Sequence, residues 1–457
     1  CSPVKPKLYQ LPAIENSVRA LRQHGSVIDA SDPGVGKTFM ALDLCRRVGV
    51  RPAVVAPLAA IPGWQWHCKE MGLEPAFIHT WELLSQGRRP GIFQRSPPKW
   101  TISGDALLIC DEFHKAKSWD TAMSQMMCRA ATEGQAVVML SATMCDNPMG
   151  MRALGANLGW FPGNDAAPFW QWAFRSGVRR VMHPLPRKAW RKGADGKEIK
   201  MGKSFGFAPR DDEERTEILA RIHARIFPEH GTRLRTADIP NFPKTTIIPE
   251  CHELPAKHVK ELAAMLEEIR AKDAAEKENE TSTVLTQILR ERQYAETAKI
   301  PILEAIIRDE IDNGQSVPVF VSFLATLEHL ATKFDAPVIR GDQTVTQRAA
   351  AMDSFQSNKS RVIVCQVSAG GQSINLDDRD GKHPRTSVIC PTYSVTELRQ
   401  ILGRVHRTTA MSPSRQRVVY AAGTVEEEIC EAVRKKLDNL DLLNDGEISN
   451  LVFNNRT

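Results

Sequence analysis

Three short stretches of this 457-residue chain hold the side chains whose types and spacing can do chemistry. In Gly34-Val35-Gly36-Lys37-Thr38 the glycines let the backbone curl so that its N–H groups face phosphate oxygens. Lys37 can reach the β and γ phosphates, and Thr38 can place its hydroxyl on magnesium. Such loops usually carry one more glycine, five positions before Gly36, where this chain has Ser31. Asp111-Glu112-Phe113-His114 offers two adjacent acids, the first suited to hold magnesium and the second to polarise an attacking water. An ordinary loop start is the plainer reading of those acids taken alone. Arg404 and Arg407, preceded by Gln400, present planar, permanently charged forks of the kind that meet phosphate oxygens. Read as neighbours on one helical face, they predict a site for a nucleoside triphosphate and magnesium that a second domain completes. A solvent-facing ion-pair helix is the alternative.

Each stretch needs a strand or helix end to position it. Apolar runs at 26–30, 53–57, 106–110 and 136–140 predict four strands, and Thr38–Arg47 carries a helical apolar pattern. Strands separated by helices predict a parallel sheet covered on both faces, with ligands gathered at the carboxyl ends of its strands. The phosphate-binding loop, the acidic pair and Ser141-Ala142-Thr143 all fall at such ends. His114 is placed to sense the nucleotide from the same loop, a merely structural histidine being the alternative. Ser141 and Thr143 are candidates for linking hydrolysis to domain movement.

A second alternating unit follows Pro255, with strands expected at 317–321, 361–365 and 386–390. The stretch from Pro243 to Pro255 is the expected border, and 258–280 reads as a charged, solvated helix. After the strand at 361–365 comes Ala369-Gly370-Gly371-Gln372-Ser373, whose paired glycines allow close backbone approach to a phosphate or a facing domain. Arg348, near Gly341-Asp342-Gln343, is a further candidate contact, a surface arginine being the alternative.

Between the two units, 160–245 breaks the rhythm. Aromatic residues from Trp160 to Phe174 precede a basic run that includes Arg179, Arg180, Lys188, Arg191 and Lys192. Gly193-Ala194-Asp195-Gly196 reads as a hairpin turn. The expectation is an insertion that packs by its aromatic part and tracks nucleic-acid phosphates by its basic part. Lysines that merely solubilise are the alternative.

Composition is ordinary for a globular chain, with 42% hydrophobic and 25% charged residues. A formal charge of +6 permits a polyanionic partner without demanding one. Ten cysteines without a Cys-x-x-Cys pair exclude a zinc ribbon and a disulfide framework. Cys45, Cys110, Cys128 and Cys390 sit in apolar surroundings and are expected to be buried free thiols in an intracellular protein. No apolar run reaches membrane-spanning length, so no membrane role is expected.

In order and spacing, these motifs resemble those of superfamily 2 helicase-type ATPases, and within them the Swi/Snf-type DNA translocases in a compact or viral form. Tyr9-Gln10 resembles the segment that recognises adenine in that family. His79-Thr80-Trp81-Glu82 is similar to a nucleic-acid-facing motif, which makes Thr80 a candidate contact. Asp111 to His114 matches the acidic box, 369–376 the fifth motif and Gln400 to Arg407 the sixth. Ser141-Ala142-Thr143 is closer to the wider helicase pattern than to the Swi/Snf one. The resemblance covers roughly residues 7 to 435 and implies two tandem RecA-like α/β domains, here taken as 1–245 and 246–457, with the basic insertion late in the first. It also implies ATP and magnesium as cofactors, with Gly34, Gly36, Lys37, Thr38, Gly371 and Gln400 at the nucleotide. The expected activity is that of a monomeric motor moving along duplex or branched DNA. An RNA- or single-strand-directed helicase and a nucleotide-gated scaffold with little turnover are the other readings.

Overall fold

The computed structural model describes residues 5–181, 190–192, 198–200, 204–262, 264, 267, 280–370 and 374–445. The chain divides into two compact units. The first comprises residues up to 178, then 207–242 and 436–445; the second comprises 179–206 and 243–435. Both are built on a six-stranded, all-parallel sheet.

The strands of the first sheet are β1 (Ser26–Asp29), β2 (Arg51–Ala56), β3 (Phe77–Thr80), β4 (Ala106–Asp111), β5 (Val137–Leu140) and β6 (Gly231–Thr232). They lie in the order β6-β1-β5-β4-β2-β3. Two helices matter most to the site, α1 (Leu11–His24) and α2 (Lys37–Val48). Val27, Val54, Ile109 and Leu140 meet Leu42, Leu44 and Trp64 in one apolar core, which is why these strands read as continuous hydrophobic runs. Register aligns the chemistry. Asp29 pairs with Leu140, and Leu140 with Asp111, so the phosphate-binding loop, Ser141 and Glu112 all leave the sheet side by side.

Two expectations for the first half need correction. The stretch 160–245 is not a single insertion, because β6 within it pairs with β1 along the outer edge of the core sheet. A helix, α3 (Asp212–Ile226), leads into that strand and buries Ile218, Leu219, Ile222 and Ile226. The compact units also divide differently from the expected 1–245 span, since 179–206 groups with the second unit and 436–445 with the first. The aromatic part packs: Phe169 is fully buried, and its ring lies 5.6 Å from Phe161 and 5.2 Å from Trp170. The expected turn at 193–196 lies outside the described residues, while the flanking strands Trp190–Lys192 and Glu198–Lys200 pair antiparallel.

The second sheet comprises β7 (Thr245–His252), β8 (Val317–Val321), β9 (Val338–Ile339), β10 (Val362–Gln366), β11 (Arg385–Ile389) and β12 (Ser414–Ala421), ordered β7-β12-β11-β8-β10-β9. The stretch expected as a border is in fact β7, paired with β12 along its whole length. Pro249 is tolerated there because β7 is the outermost strand and its outer side needs no donor. Helix α4 (Ile300–Asp312) covers this sheet through Leu303 and Ile307. Arg417 of β12 donates to Glu250 of β7 at 2.6 and 2.8 Å, and to Glu310 of α4 at 2.8 Å. Two further helices complete the elements used below, α5 (Val395–Leu402) and α6 (Val425–Asp445). Most of 258–280 lies outside the described residues. Cys45, Cys110, Cys128 and Cys390 are buried and unbridged. Among the described residues no helix is long and apolar enough to cross a membrane.

Residues far apart in sequence brace the phosphate-binding loop. Arg233, just beyond β6, donates to Asp32 at 2.6 Å and to the Ala30 carbonyl at 2.8 Å. The same guanidinium forks onto Asp445 at 2.7 and 3.0 Å. Burial acts against its charge, but the two carboxylates hold its pKa above the ordinary arginine value. Removing one partner of a largely buried ion pair leaves the others desolvated and uncompensated. Arg233→Ala is therefore expected to cost roughly 3 kcal/mol in urea unfolding. A loss below about 0.5 kcal/mol would mean that the brace contributes nothing.

Candidate nucleotide site

The loop between β1 and α2 has the shape that phosphate binding requires. Gly34 and Gly36 have φ of 83° and 97°, a region where a side chain is strained. Gly36 caps α2, so Lys37 and Thr38 occupy its first turn, where unpaired N–H groups and the helix dipole favour an anion. A Cβ on Gly36 would sit 2.5 Å from Gln10 Nε2. Gln10 is buried and donates to the Val35 carbonyl at 2.9 Å, and the Tyr9 hydroxyl donates to the same carbonyl at 3.3 Å. Both residues thus hold the loop from the α1 side.

Lys37 folds back over the loop, donating to the carbonyls of Ser31 at 2.7 Å and Asp32 at 3.0 Å. Burial pulls its pKa down, while Asp29, Glu112, Asp32 and Asp111 pull it up. Asp29 is the carboxylate that the sequence reading overlooked. It is buried at the end of β1 and accepts from the Ser31 N–H at 2.9 Å. Burial raises its pKa, against the opposing pull of Lys37.

The acidic pair sits opposite. Asp111 accepts from Trp64 Nε1 at 2.9 Å and from the Glu112 N–H at 3.0 Å, and its carbonyl accepts from Trp81 Nε1 at 2.8 Å. Burial first, and the Glu112 charge second, push its pKa up to about 6. Glu112 has φ 52° and ψ 52°, a left-handed conformation uncommon for a side-chain-bearing residue. His114 Nδ1 lies 3.2 Å from Glu112 Oε2 and 3.3 Å from Ser141 Oγ. Ser141 Oγ also accepts from the Thr143 N–H at 3.3 Å, and the Ser141 N–H donates to the Asp29 carbonyl at 3.0 Å. The structure thus brings Lys37, Asp111, Glu112, His114, Ser141 and Thr143 together, with Asp29 and Trp64 as additions. Thr80 caps a short helix, its hydroxyl accepting from the Leu83 N–H at 3.2 Å. Lys115 reaches Glu82 at 2.7 Å beside it.

In the second unit the arginine pair differs from expectation. Helix α5 ends at Leu402, so Arg404 and Arg407 lie in the turn beyond it and not on its face. The Gly403 N–H closes the helix on Arg399, and the Leu376 N–H then takes the Arg404 carbonyl at 3.0 Å, holding the chain in the turn. Their guanidinium groups nevertheless meet, donating to the Ile374 carbonyl at 3.1 and 3.4 Å. Burial lowers the Arg407 pKa, with Asp377 opposing. Gln400 is half-buried on α5. Arg348 donates to the carbonyls of Arg340 at 3.0 Å and Gly341 at 3.2 Å, which shapes that loop.

Of the candidate nucleic-acid contacts, Arg179 and Arg180 are exposed on the strand Val178–Val181, with Arg180 over the Phe205 ring at 5.9 Å. Lys188 and Gly371 lie outside the described residues, and for Arg191 and Lys192 only the strand is described.

Residues 298–409 match the family described as the helicase conserved C-terminal domain. That match takes in the turn that carries Arg404 and Arg407. A relative from Acanthamoeba polyphaga mimivirus, provisionally named an ATP-dependent RNA helicase, is 27% identical over 472 aligned positions, covering 96% of this chain and 84% of its own. The SWI2/SNF2 ATPase core of Sulfolobus solfataricus, solved in complex with double-stranded DNA, aligns with 97% of this chain and 94% of its own at 15% identity and a TM-score of 0.36.

The tight fit of Gln10 against Gly36 makes a direct test of the candidate nucleotide site. Gly36→Ala is expected to expel the glutamine side chain and weaken binding of a fluorescent ATP analogue at least about tenfold, since strain and clash act together. Unchanged binding would show that the loop tolerates a side chain and does not close on phosphate.

Proposed function

We propose that this protein is an ATP-driven translocase that moves along double-stranded or branched DNA, coupling ATP hydrolysis to closure of its two domains and to remodelling of the DNA or of proteins bound to it. The observation that carries the hydrolytic part is that β1, which leads into the loop bearing Lys37, and β4, which ends in Asp111 and Glu112, flank β5 with their carboxyl ends in register. In this reading Lys37 holds the β and γ phosphates and Glu112 orients the attacking water. Arg404 and Arg407 answer the charge that builds on the transferred phosphate. Thr38 and Asp111 hold magnesium, for which a hydroxyl and a carboxylate are the hard oxygen donors it prefers. The raised pKa of Asp111 fits that role, because a neighbouring dication favours the charged carboxylate. Magnesium supplies charge neutralisation between the phosphates when bound. Buried free thiols suit a reducing intracellular compartment.

The DNA preference rests on the Swi/Snf-like motif pattern. RNA is the second reading, favoured by the RNA helicase name that the mimivirus relative carries. ATP hydrolysis measured with duplex DNA, single-stranded DNA and RNA separates them, with Glu112→Gln as the inactive control. Strongest stimulation by duplex DNA is expected; strongest stimulation by RNA would overturn the substrate assignment, and no stimulation by any of them would overturn the motor. Arg407→Ala is expected to lower kcat by about 10³-fold or more while changing nucleotide affinity much less. An unchanged kcat would remove Arg407 from catalysis.

A further inference from the structure

On the rim of the first unit, away from the strand ends that carry the ATP chemistry, two imidazoles and a carboxylate converge. Helix α1 ends at His24, and Gly25 turns the chain in a left-handed cap. Asn16, on the same helix, donates its Nδ2 to the carbonyls of Pro228 at 3.0 Å and Gly231 at 2.8 Å. This lashes the 228–231 turn against α1. His230 is further fixed through its backbone, its N–H bonding to Ile226 at 2.8 Å and its carbonyl accepting from Ile28 of β1 at 3.0 Å. The two rings lie 4.1 Å apart between centroids, tilted by 44°, and His24 Nε2 is 3.5 Å from Glu229 Oε1.

Two details are costly unless something else binds here. His24 Nε2 and His230 Nδ1 are both shielded from solvent, and neither makes a hydrogen bond. Buried polar nitrogens are nearly always satisfied, so two orphans facing one carboxylate call for a partner that accepts lone pairs. One ligand atom from each of His24, Glu229 and His230 lies within 4.8 Å of the others. We propose that these three residues form a binding site for a divalent transition metal of the zinc type. Two imidazoles and one carboxylate are a recurrent zinc donor set, with water in the fourth position. Bond lengths of about 2.0–2.1 Å imply ligand atoms about 3.3 Å apart on a tetrahedral ion. Rotation of the largely exposed Glu229 side chain and small turns of the rings close that gap.

The bound ion ties the end of α1 to the turn that enters β6. Arg233, which holds Asp32 of the phosphate-binding loop, follows that strand directly. The site is thus a structural staple behind the nucleotide loop, and it takes no part in hydrolysis.

The test uses the full chain, stripped by a chelator and titrated with Zn²⁺ by calorimetry and with Co²⁺ by absorption spectroscopy. Wild type is expected to bind one equivalent at this site, with a Co²⁺ spectrum free of thiolate charge-transfer bands, and to melt several degrees higher with Zn²⁺. Glu229→Gln and His230→Gln are expected to weaken binding by more than the roughly 10–100-fold that outer-shell changes cost, and to lose the thermal shift. Because Glu229 is a surface residue, its variant should fold normally, which circular dichroism checks. Three results would overturn the assignment: no Zn²⁺ binding by folded wild type, equal affinity in Glu229→Gln and the wild type, or Co²⁺ spectra dominated by cysteine ligation.

Discussion

A buried ammonium must have anionic company or give up its proton, and the first unit is arranged around that constraint at Lys37. Its neighbours Asp29, Asp32, Asp111 and Glu112 come from the ends of two strands and the loop between β1 and α2. No two-strand hairpin could gather them. A parallel sheet can, because successive strands leave the same edge, and here register puts Asp29 and Asp111 on either side of Leu140. The acids carry a desolvation cost of their own, visible in the raised pKa values of Asp29 and Asp111. A site with two desolvated acids and one buried lysine is poised for a ligand that brings both negative oxygens and a cation. Magnesium-bound triphosphate is such a ligand.

Much of this was legible in the sequence because central strands are buried on both faces and so read as unbroken apolar runs. β1, β2, β4, β5, β8, β10 and β11 all appear that way. Among the strands that escaped notice, β3, β6, β7 and β9 lie at sheet edges, while the interior β12 opens on the polar run Ser414-Arg415-Gln416-Arg417 and so shows no apolar run there. β6 and β9 have only two residues each, too few for any periodicity, and β7 carries a proline that argues against a central strand. Long-range polar partners escaped for a different reason. Nothing local to Arg233 signals that it joins Asp32 to Asp445, since those partners lie about 200 positions away on either side. Trp64 and Trp81 fill space as any buried tryptophan does, and only the fold shows their indole N–H groups directed at Asp111. Asp29 looked like the polar end of a strand, because burial of a carboxylate is a property of what covers it.

The arginine pair shows how a correct pairing can follow from an incorrect element. Spacing by three residues suggests a shared helical face, yet α5 stops before either residue. Their guanidinium groups converge because both reach one acceptor, the Ile374 carbonyl. A turn places them differently from a helix. Helical neighbours are held only by side-chain rotamers, whereas here the Arg404 backbone is itself bonded to Leu376, so the pair moves with the segment at 374–376. Backbone and side-chain bonds thus tie the arginine turn to 374–376 within the second unit.

His114 offers the clearest route from hydrolysis to motion within the first unit. Its Nδ1 lies almost equally near Glu112 and Ser141, but one ring N–H cannot align well with both acceptors. Pairing with Glu112 steadies the carboxylate that handles water. Pairing with Ser141 engages a hydroxyl that also receives the Thr143 N–H, on a residue bonded through its own N–H to Asp29 below the phosphate loop. In the proposed function, a γ-phosphate that drew on Glu112 would shift His114 toward one partner, and its departure would release the ring to the other. Two discrete arrangements of one hydrogen bond are what a contiguous network needs in order to transmit a change, and mere adjacency would not suffice. The left-handed backbone at Glu112 fits the same account, since it holds the carboxylate in an orientation that the chain would not choose on its own.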